Sequence, residues 1–336
     1  MRILNIHEVN DVRLDPKDAP VAGDRDVVVK VHACGICGSD LTYIKYGGIR
    51  RAPGGVTPIG HEFAGEIIEI GKDVTGIAIG DRVAVNPMNT ATNIGSGGPD
   101  GGFSEQVLIP EAQVGDNLLP IPEGVSYAVA AMTEPLSVAL HGVNRGQVKA
   151  GDKVAVFGCG PIGLGMVLWL VDRGANVVAL DLAPERLERA TALGAHGVIN
   201  PGTENVRERL IAFHGTGRVL NRDAVGTDVY LDAAGAPGLL NEIVGMAKFQ
   251  SRLVITAAHM KPVEINLGTM LTTEMTITTA VGYPDEMPDV VAALPRLNDK
   301  IESLISHRLP LDRVIEGLAI AATPQSAKVM IEMADA

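Results

Sequence analysis

Residues that bind zinc in other proteins occur at several places in the first half of the sequence. Cys34 and Cys37 form a Cys-x-x-Cys pair, Gly60-His61-Glu62 follows, and Glu134 begins the stretch Glu-Pro-Leu-Ser-Val-Ala-Leu-His. A Cys-x-x-Cys pair is also compatible with a redox pair or two buried thiols, and with 3 cysteines in the chain a Cys₄ site is impossible. One thiolate, one imidazole and one carboxylate, with water in the fourth position, form an open zinc site.

A glycine-rich segment in the middle of the chain has the spacing of a dinucleotide-binding loop. The segment reads Gly158-Cys-Gly160-Pro161-Ile162-Gly163, with a short apolar stretch before it and a helical stretch up to residue 173 after it. Glycines let a pyrophosphate approach the backbone N–H groups, and the helix N-terminus adds positive potential. We therefore predict that residues 158, 160, 161, 162 and 163 bind a dinucleotide.

An acidic residue follows this loop at the end of the next apolar stretch. Asp181 is placed to accept hydrogen bonds from both hydroxyls of the adenosine ribose and to repel a 2′-phosphate. The next residue, Leu182, offers no compensating cation, and Arg186 is the nearest base. Arg186 either stacks on the adenine or is a solvated helix residue. The pattern predicts NAD rather than NADP as the cofactor.

The order of the apolar stretches indicates how these residues are positioned. Short strand-like runs separated by Gly and Pro cover the first 85 residues and are typical of a compact β domain. From residue 153 to residue 256, strand-like and helix-like stretches alternate, which predicts a doubly wound parallel sheet. The tail from residue 283 ends in a strand, 328–333, which is free to return to the first domain. The glycine-rich segment 95–102 is expected to be a flexible surface connection.

Composition excludes several classes of function. The 336 residues are enough for about two domains. The net charge of -12 and the small aromatic content, 3%, argue against nucleic-acid binding. No apolar run is long enough to span a membrane, and the charged N-terminus does not resemble a signal peptide. With few cysteines, we expect no membrane association and a cytoplasmic location.

Together, these motifs resemble those of the zinc-dependent medium-chain dehydrogenases/reductases over nearly the whole chain. The similarity is carried by the segment 35–40, Gly60-His61-Glu62, Glu134-Pro-Leu, the glycine loop with Asp181, and Lys328-Val-Met-Ile. Glu134-Pro-Leu is most similar to the sorbitol, butanediol and threonine dehydrogenase branch. The resemblance implies an α/β fold with a Rossmann-like NAD-binding domain, 144–282, inserted into a mostly β GroES-like catalytic domain, 1–143 plus 283–336. It also implies a homodimer or homotetramer.

The resemblance also assigns roles to individual residues. It places the catalytic zinc on Cys37 and His61, with Glu62 or Glu134 as the third protein ligand. Ser39 matches the hydroxyl that contacts the substrate oxygen, and Asp40 matches an acid that orients His61. Lys328 falls where relatives place a cation near the pyrophosphate.

The sequence departs from this family's pattern in two ways. Residues 86–104 contain none of the four cysteines that hold a structural zinc in many relatives, so we expect a single, catalytic zinc per chain. Thr42 occupies the position where many relatives have a histidine that ends a proton relay. The next proton carrier is therefore open: water, a cofactor ribose hydroxyl, Glu62 or Glu134.

The expected activity is the NAD-dependent oxidation of a small secondary alcohol or polyol to a ketone. The alternatives are a primary-alcohol dehydrogenase, a zinc-free quinone or enone reductase, and a non-catalytic NAD sensor. Cys37 and His61 argue against the zinc-free enzyme, and Ser39 argues against the sensor. No residue names the alcohol, and the Arg50-Arg51 pair fits either an anionic substrate or a solvated loop. Cys34, Cys159, His141 and His307 are expected to be structural.

Overall fold

The protein, described here by a computed structural model for residues 1–48 and 55–333, forms two compact units. The first unit comprises Met1–Glu134 and the segment from Met287 onward, and the second comprises Pro135–Glu286. The division predicted at residue 143 lies near the end of a helix that covers Thr133–Arg145, whereas the units part at its first turn. The reason for the difference is that a continuous helix carries the chain from one unit to the other without a break in secondary structure.

Short strands make up most of the first segment of the first unit, as predicted. Its elements are β1 (Arg2–Glu8), β2 (Asp11–Pro16), β3 (Val27–Gly35), α1 (Gly38–Tyr46), β4 (Thr57–Pro58), β5 (Glu62–Ile70), β6 (Arg82–Val85), β7 (Gln106–Ile109), β8 (Leu118–Pro120) and α2 (Tyr127–Ala131). Strands β2, β1 and β4 form a small antiparallel sheet.

Strands and helices alternate in the second unit. Its elements are α3 (Thr133–Arg145), β9 (Lys153–Phe157), α4 (Pro161–Asp172), β10 (Asn176–Leu180), α5 (Pro184–Leu193), β11 (Gly197–Ile199), α6 (Val206–His214), β12 (Thr216–Val219), β13 (Arg222–Val225), β14 (Val229–Asp232), α7 (Leu239–Met246), β15 (Arg252–Ile255), α8 (Leu267–Thr273) and β16 (Thr276–Thr279). Six strands form a parallel sheet in the order β11-β10-β9-β14-β15-β16. The order reverses between β9 and β14, and the predicted doubly wound sheet is confirmed.

Helix α5 shows how local sequence signals define these elements. Pro184 occupies the first turn, where a missing N–H costs nothing, and Gly194 ends the helix in a left-handed conformation with φ 107°. Leu187, Ala190 and Leu193 are the buried residues, as their spacing on one face predicts.

The hairpin β12–β13 was not apparent from the sequence. Its turn contains Leu220, which has φ 49°. Glycine and asparagine usually occupy such positions, and a leucine there gives no turn signal.

The tail returns to the first unit through α9 (Met287–Glu302), β17 (Ile305–Pro310), α10 (Val314–Ala321) and β18 (Lys328–Glu332). Strand β18 pairs antiparallel with β3, in the register Met330 with Gly35, and joins a larger sheet of order β17-β18-β3-β5-β6-β8. The tail therefore returns to the first unit, as its final strand-like stretch predicts.

Each unit has its own apolar core. The first is built from side chains of β1, β3, β5 and β18, and includes Phe63 and Phe103. The second lies around β9, β10 and β14 and includes Tyr230. Among the described residues, no helix has the length and apolar character needed to cross a membrane.

Candidate active site

Cys37, the cysteine of the candidate metal site, immediately precedes helix α1. Cys37 is the N-cap residue, and its backbone N–H donates to Asp40 Oδ2 at 2.9 Å. Asp40 is fully buried on the first turn, where a carboxylate also interacts favourably with the helix dipole. This local hydrogen bond fixes the position of Cys37 against the start of the helix.

His61 lies beside the same helix, immediately before β5. Its Nδ1 is 3.5 Å from Asp40 Oδ1, and its Nε2 is 3.5 Å from Ser39 Oγ. The Asp40 carboxylate also accepts the N–H of Gly60 at 3.4 Å. Asp40 therefore lies between Cys37 and His61, where it matches the orienting role that the sequence predicts.

Three potential metal ligands come together at this point. One ligand atom each of Cys37, His61 and Glu62 lies within 4.8 Å of the others. Sulfur, imidazole nitrogen and carboxylate oxygen are the donors that zinc prefers, and three protein donors leave a position for water or substrate. His61 Nδ1 is buried and makes no hydrogen bond in the described part of the chain. The donor set therefore fits zinc.

The electrostatics of the site are set by buried charges. Burial alone would lower the pKa of His61, but the neighbouring Asp40 and Cys37 outweigh it and raise the pKa well above its usual value. Burial, together with Asp40 and Glu62, raises the pKa of the Cys34 thiol well above the usual range. Cys34 is therefore a neutral packed thiol.

Glu62 has a second partner from the far end of the chain. Lys328 Nζ donates to Glu62 Oε1 at 2.6 Å and to the carbonyl oxygen of Ile36 at 3.0 Å. The side chains of Lys328 and Glu62 are each 1% exposed. Burial lowers the pKa of Lys328, but the Glu62 and Cys37 charges more than offset this and raise it. A side chain at Gly35 has no room here, because its Cβ would lie 2.2 Å from Glu62 Oε2.

Glu134 lies on the first turn of α3 and is also buried. Its charge contributes to the raised pKa of Lys328, so it faces the same polar cluster. Among the described residues, it does not belong to the 4.8 Å group of Cys37, His61 and Glu62.

The predicted flexible loop 95–102 is instead packed against the metal-site segment, and that expectation is wrong. Gly95, Gly98, Gly101 and Gly102 are buried. Gly102 N–H donates to Gly60 O at 2.7 Å, and a Cβ on Gly95 would lie 2.0 Å from the same oxygen. The glycines here permit close backbone contact rather than flexibility.

The glycine loop of the second unit connects β9 to α4. Gly158 has φ 91°, and a Cβ on Gly163 would lie 1.8 Å from Gly158 O, so both positions require glycine. Gly160 is the N-cap of α4, and Pro161 and Ile162 form its first turn. The backbone at the helix N-terminus is thus arranged as an anion-binding turn.

Asp181 is tied to this loop by hydrogen bonds. Its Oδ2 accepts the N–H of Cys159 at 2.7 Å, and its Oδ1 accepts the N–H of Ala183 at 2.8 Å. Arg186 Nη1 lies 3.8 Å from Asp181 Oδ2. Because each carboxylate oxygen has a further lone pair, Asp181 retains the capacity to accept ribose hydroxyls.

Comparison with known proteins agrees with these two sites. Residues 23–123 match the alcohol dehydrogenase GroES-like domain, and residues 161–296 match the zinc-binding dehydrogenase family. The chain is 32% identical to (R,R)-butanediol dehydrogenase of Bacillus subtilis over 94% of both chains.

This chain belongs to the zinc-binding dehydrogenase family.

It is therefore an oxidoreductase, and the predicted family is confirmed. Mouse sorbitol dehydrogenase is 29% identical over 98% of this chain and 95% of its own length. The structure of the alcohol dehydrogenase RspB from Escherichia coli CFT073, in complex with NADH, superposes with a TM-score of 0.87 at 29% identity over 99% of both chains.

Other residues considered in the sequence of this dehydrogenase have structural partners. His141 Nδ1 lies 2.8 Å from the buried Glu286, and His307 Nδ1 lies 2.9 Å from Ser306 Oγ. Cys159 is buried in the glycine loop, and burial raises the pKa of its thiol. Arg50 and Arg51 lie outside the described residues.

The packing of the loop against Gly60 gives a test of how this dehydrogenase positions His61. Gly95→Ala should destabilise the protein by roughly 1–3 kcal/mol more than Gly115→Ala, because it adds a backbone collision to the cost of a left-handed φ. Gly115, with φ 86°, has open space around its Cβ and isolates that cost. Only Gly95→Ala should also lower the zinc content per chain. Denaturant unfolding and elemental analysis measure both effects; equal losses in the two variants would contradict this role.

Proposed function

We propose that this zinc-binding dehydrogenase oxidises a secondary alcohol or polyol to a ketone with NAD as hydride acceptor. The observation that carries the proposal is the Cys37–His61–Glu62 donor group in a chain whose second unit contains a glycine loop with Asp181. The similarity to butanediol and sorbitol dehydrogenases supports a substrate with adjacent hydroxyl groups.

Cys37, His61 and Glu62 are the residues proposed to hold the zinc, with Glu134 as the second candidate for the carboxylate position. When bound, zinc supplies Lewis acidity toward an alcohol oxygen, and NAD accepts hydride. Lys328 holds the Glu62 carboxylate through two hydrogen bonds, which limits how far this ligand can move. Its predicted place near the cofactor pyrophosphate stays a prediction.

Gly158, Gly160, Pro161, Ile162 and Gly163 are proposed to bind the cofactor pyrophosphate. Their arrangement at the N-terminus of α4 provides backbone N–H groups and positive potential for an anion. Asp181 is proposed to accept the adenosine ribose hydroxyls. Arg186, beside Asp181, is proposed to contact the adenine.

Ser39 is proposed to receive the substrate hydroxyl proton and pass it on. Its hydroxyl lies beside His61 Nε2 and is able both to donate and to accept. Thr42 is a poor candidate for the next carrier, because its hydroxyl already donates to Gly38 O at 3.0 Å.

We also propose a homo-oligomer. Strand β16 is an edge of the parallel sheet, and Leu267, Leu271 and Val281 close to it in sequence are more than 70% exposed. An open edge with exposed apolar side chains suits pairing with a second copy. Analytical ultracentrifugation should give a mass of at least two chains, and a monomer at micromolar concentration would rule this out.

We also propose a cytoplasmic location, which the free thiols at all three cysteines support.

Metal and substrate assays test the function directly. The purified protein should contain one zinc per chain and turn over secondary alcohols or polyols with NAD faster than primary alcohols. Cys37→Ala should lose the zinc and nearly all turnover, whereas Cys34→Ala, in the same Cys-x-x-Cys pair, should keep both. Two zincs per chain, or activity of metal-free protein toward quinones or enones, would refute the proposal.

Cofactor choice should depend on Asp181. We expect kcat/KM to favour NAD over NADP by well over tenfold, or more than about 1.4 kcal/mol. Asp181→Asn should reduce this ratio, because it removes the charge that repels a 2′-phosphate. Glu188→Gln removes the same charge from the exposed side of α5 and should leave the ratio unchanged. Equal kcat/KM values for both cofactors in the unmodified protein would contradict the assignment.

Two single substitutions test whether the hydroxyl of Ser39 or that of Thr42 carries the proton. Ser39→Ala should reduce kcat by about 10²–10⁴, the usual effect of removing a positioned proton-transfer group. Thr42→Val should cost far less, since its hydroxyl is bonded to the helix backbone. Both variants should retain zinc, which separates proton transfer from metal loss. If Ser39→Ala is as active as the unmodified protein, the path does not pass through this residue.

A further inference from the structure

A fully buried carboxylate, that of Asp232, organises the far half of the parallel sheet. Asp232 ends β14, is fully buried, and its Oδ1 accepts the N–H groups of Ala234 at 3.0 Å and Gly235 at 2.9 Å. Its carbonyl oxygen accepts the N–H of Thr256 at 3.0 Å. Asp232 thus ties together the loops that follow β14 and β15.

The other carboxylate oxygen of Asp232 holds a histidine. Asp232 Oδ2 lies 2.9 Å from His259 Nε2, and the His259 side chain is 15% exposed. An ionised carboxylate is only an acceptor, so the proton of this hydrogen bond belongs to Nε2. In the neutral ring, Nδ1 is then an acceptor, and it makes no hydrogen bond within the described part of the chain.

His259 lines an open cavity of about 570 Å³ that lies wholly within the second unit. The loops after β14 and β15 form its walls, and its charged lining residues are Lys261 and Glu264. No sequence motif marks this group, since neither Asp232 nor His259 belongs to one.

The glycine loop lies against the loop after β14, which forms one wall of the cavity. A Cβ on Gly158 would lie 2.9 Å from Ala234 N, so the glycine loop contacts the segment that Asp232 holds. In doubly wound sheets, a dinucleotide lies across the carboxyl ends of the strands at the point where the strand order reverses. Strands β9 to β11 carry the glycine loop and Asp181 for the adenosine half. The other nucleoside is therefore expected at the carboxyl ends of strands β14 to β16.

We propose that His259, oriented by Asp232, binds the ribose on the nicotinamide side of the cofactor. His259 Nδ1 accepts a hydrogen bond from one of the ribose hydroxyls, which are the donors that this neutral acceptor requires. The pyrophosphate of the cofactor is fully ionised at neutral pH and has no proton to donate, so the ribose is the better partner. This inference rests on the proposed NAD binding and adds a cofactor contact outside the glycine loop.

Titration calorimetry with three ligands locates the contact. NADH contains both nucleosides, ADP-ribose lacks only the nicotinamide, and ADP lacks the second ribose as well. His259→Ala should weaken NADH and ADP-ribose by roughly 3- to 10-fold, the usual effect of losing one hydrogen bond. The affinity for ADP should not change.

Two further variants separate ligand contact from structural support. Asp232→Asn presents an amide donor to Nε2, moves the ring proton to Nδ1 and should cause the same selective loss. His196→Ala changes an exposed histidine that accepts Val177 N–H at the other edge of the same sheet, and it should alter none of the three affinities. Thermal unfolding by circular dichroism confirms that each variant is folded.

The pattern of affinities for the three ligands decides whether His259 contacts the second ribose. If His259→Ala binds NADH and ADP-ribose as the unmodified protein does, or loses ADP binding by the same factor, the inference is wrong. A loss confined to NADH would assign His259 to the nicotinamide ring and would also overturn it. Failure of the unmodified protein to bind NADH at all would instead refute the proposed function, and this inference with it.

Discussion

The buried ion pair between Lys328 and Glu62 is the interaction on which the first unit depends. It joins strand β18 to β5 across β3, and it fixes the carboxylate beside Cys37 and His61. Removing one partner of such a pair leaves an uncompensated buried charge and typically costs about 3–5 kcal/mol. Gly35 between them is part of the same arrangement, since any side chain would occupy the position of the carboxylate. Stability and metal-site geometry are therefore not separable here.

Three aspartates, two of them fully buried, have a common role. Asp40 accepts the N–H groups of Cys37 and Gly60, Asp181 those of Cys159 and Ala183, and Asp232 those of Ala234 and Gly235. Each fixes the backbone next to a residue with a proposed chemical role, and charge-assisted hydrogen bonds of this kind are stronger than neutral ones. Each loop with a proposed chemical role is thus held by an aspartate.

The parts of the fold that depend on local signals were predictable from the sequence. The spacing of residues close together in the sequence predicts the glycine loop, helix α5 and the position of Asp181. The structure places all three where that spacing indicates. Contacts between distant segments were not predictable. A glycine-rich stretch has the same composition whether it is mobile or packed, so composition does not reveal that the loop at 95–102 packs against Gly60. Lys328 and Glu62 are 266 positions apart, and no local pattern links them.

The position of β18 in the sheet has a consequence for the order in which the protein matures during synthesis. The second unit is a continuous segment that ends at Glu286, so all of its strands have been synthesised before Met287 is added. The first unit has to wait for its last strand, and until Lys328 emerges from the ribosome the Glu62 carboxylate has no buried cation beside it. The nascent chain therefore passes through a stage in which every strand of the second unit has been synthesised while the Glu62 carboxylate still lacks its buried cation.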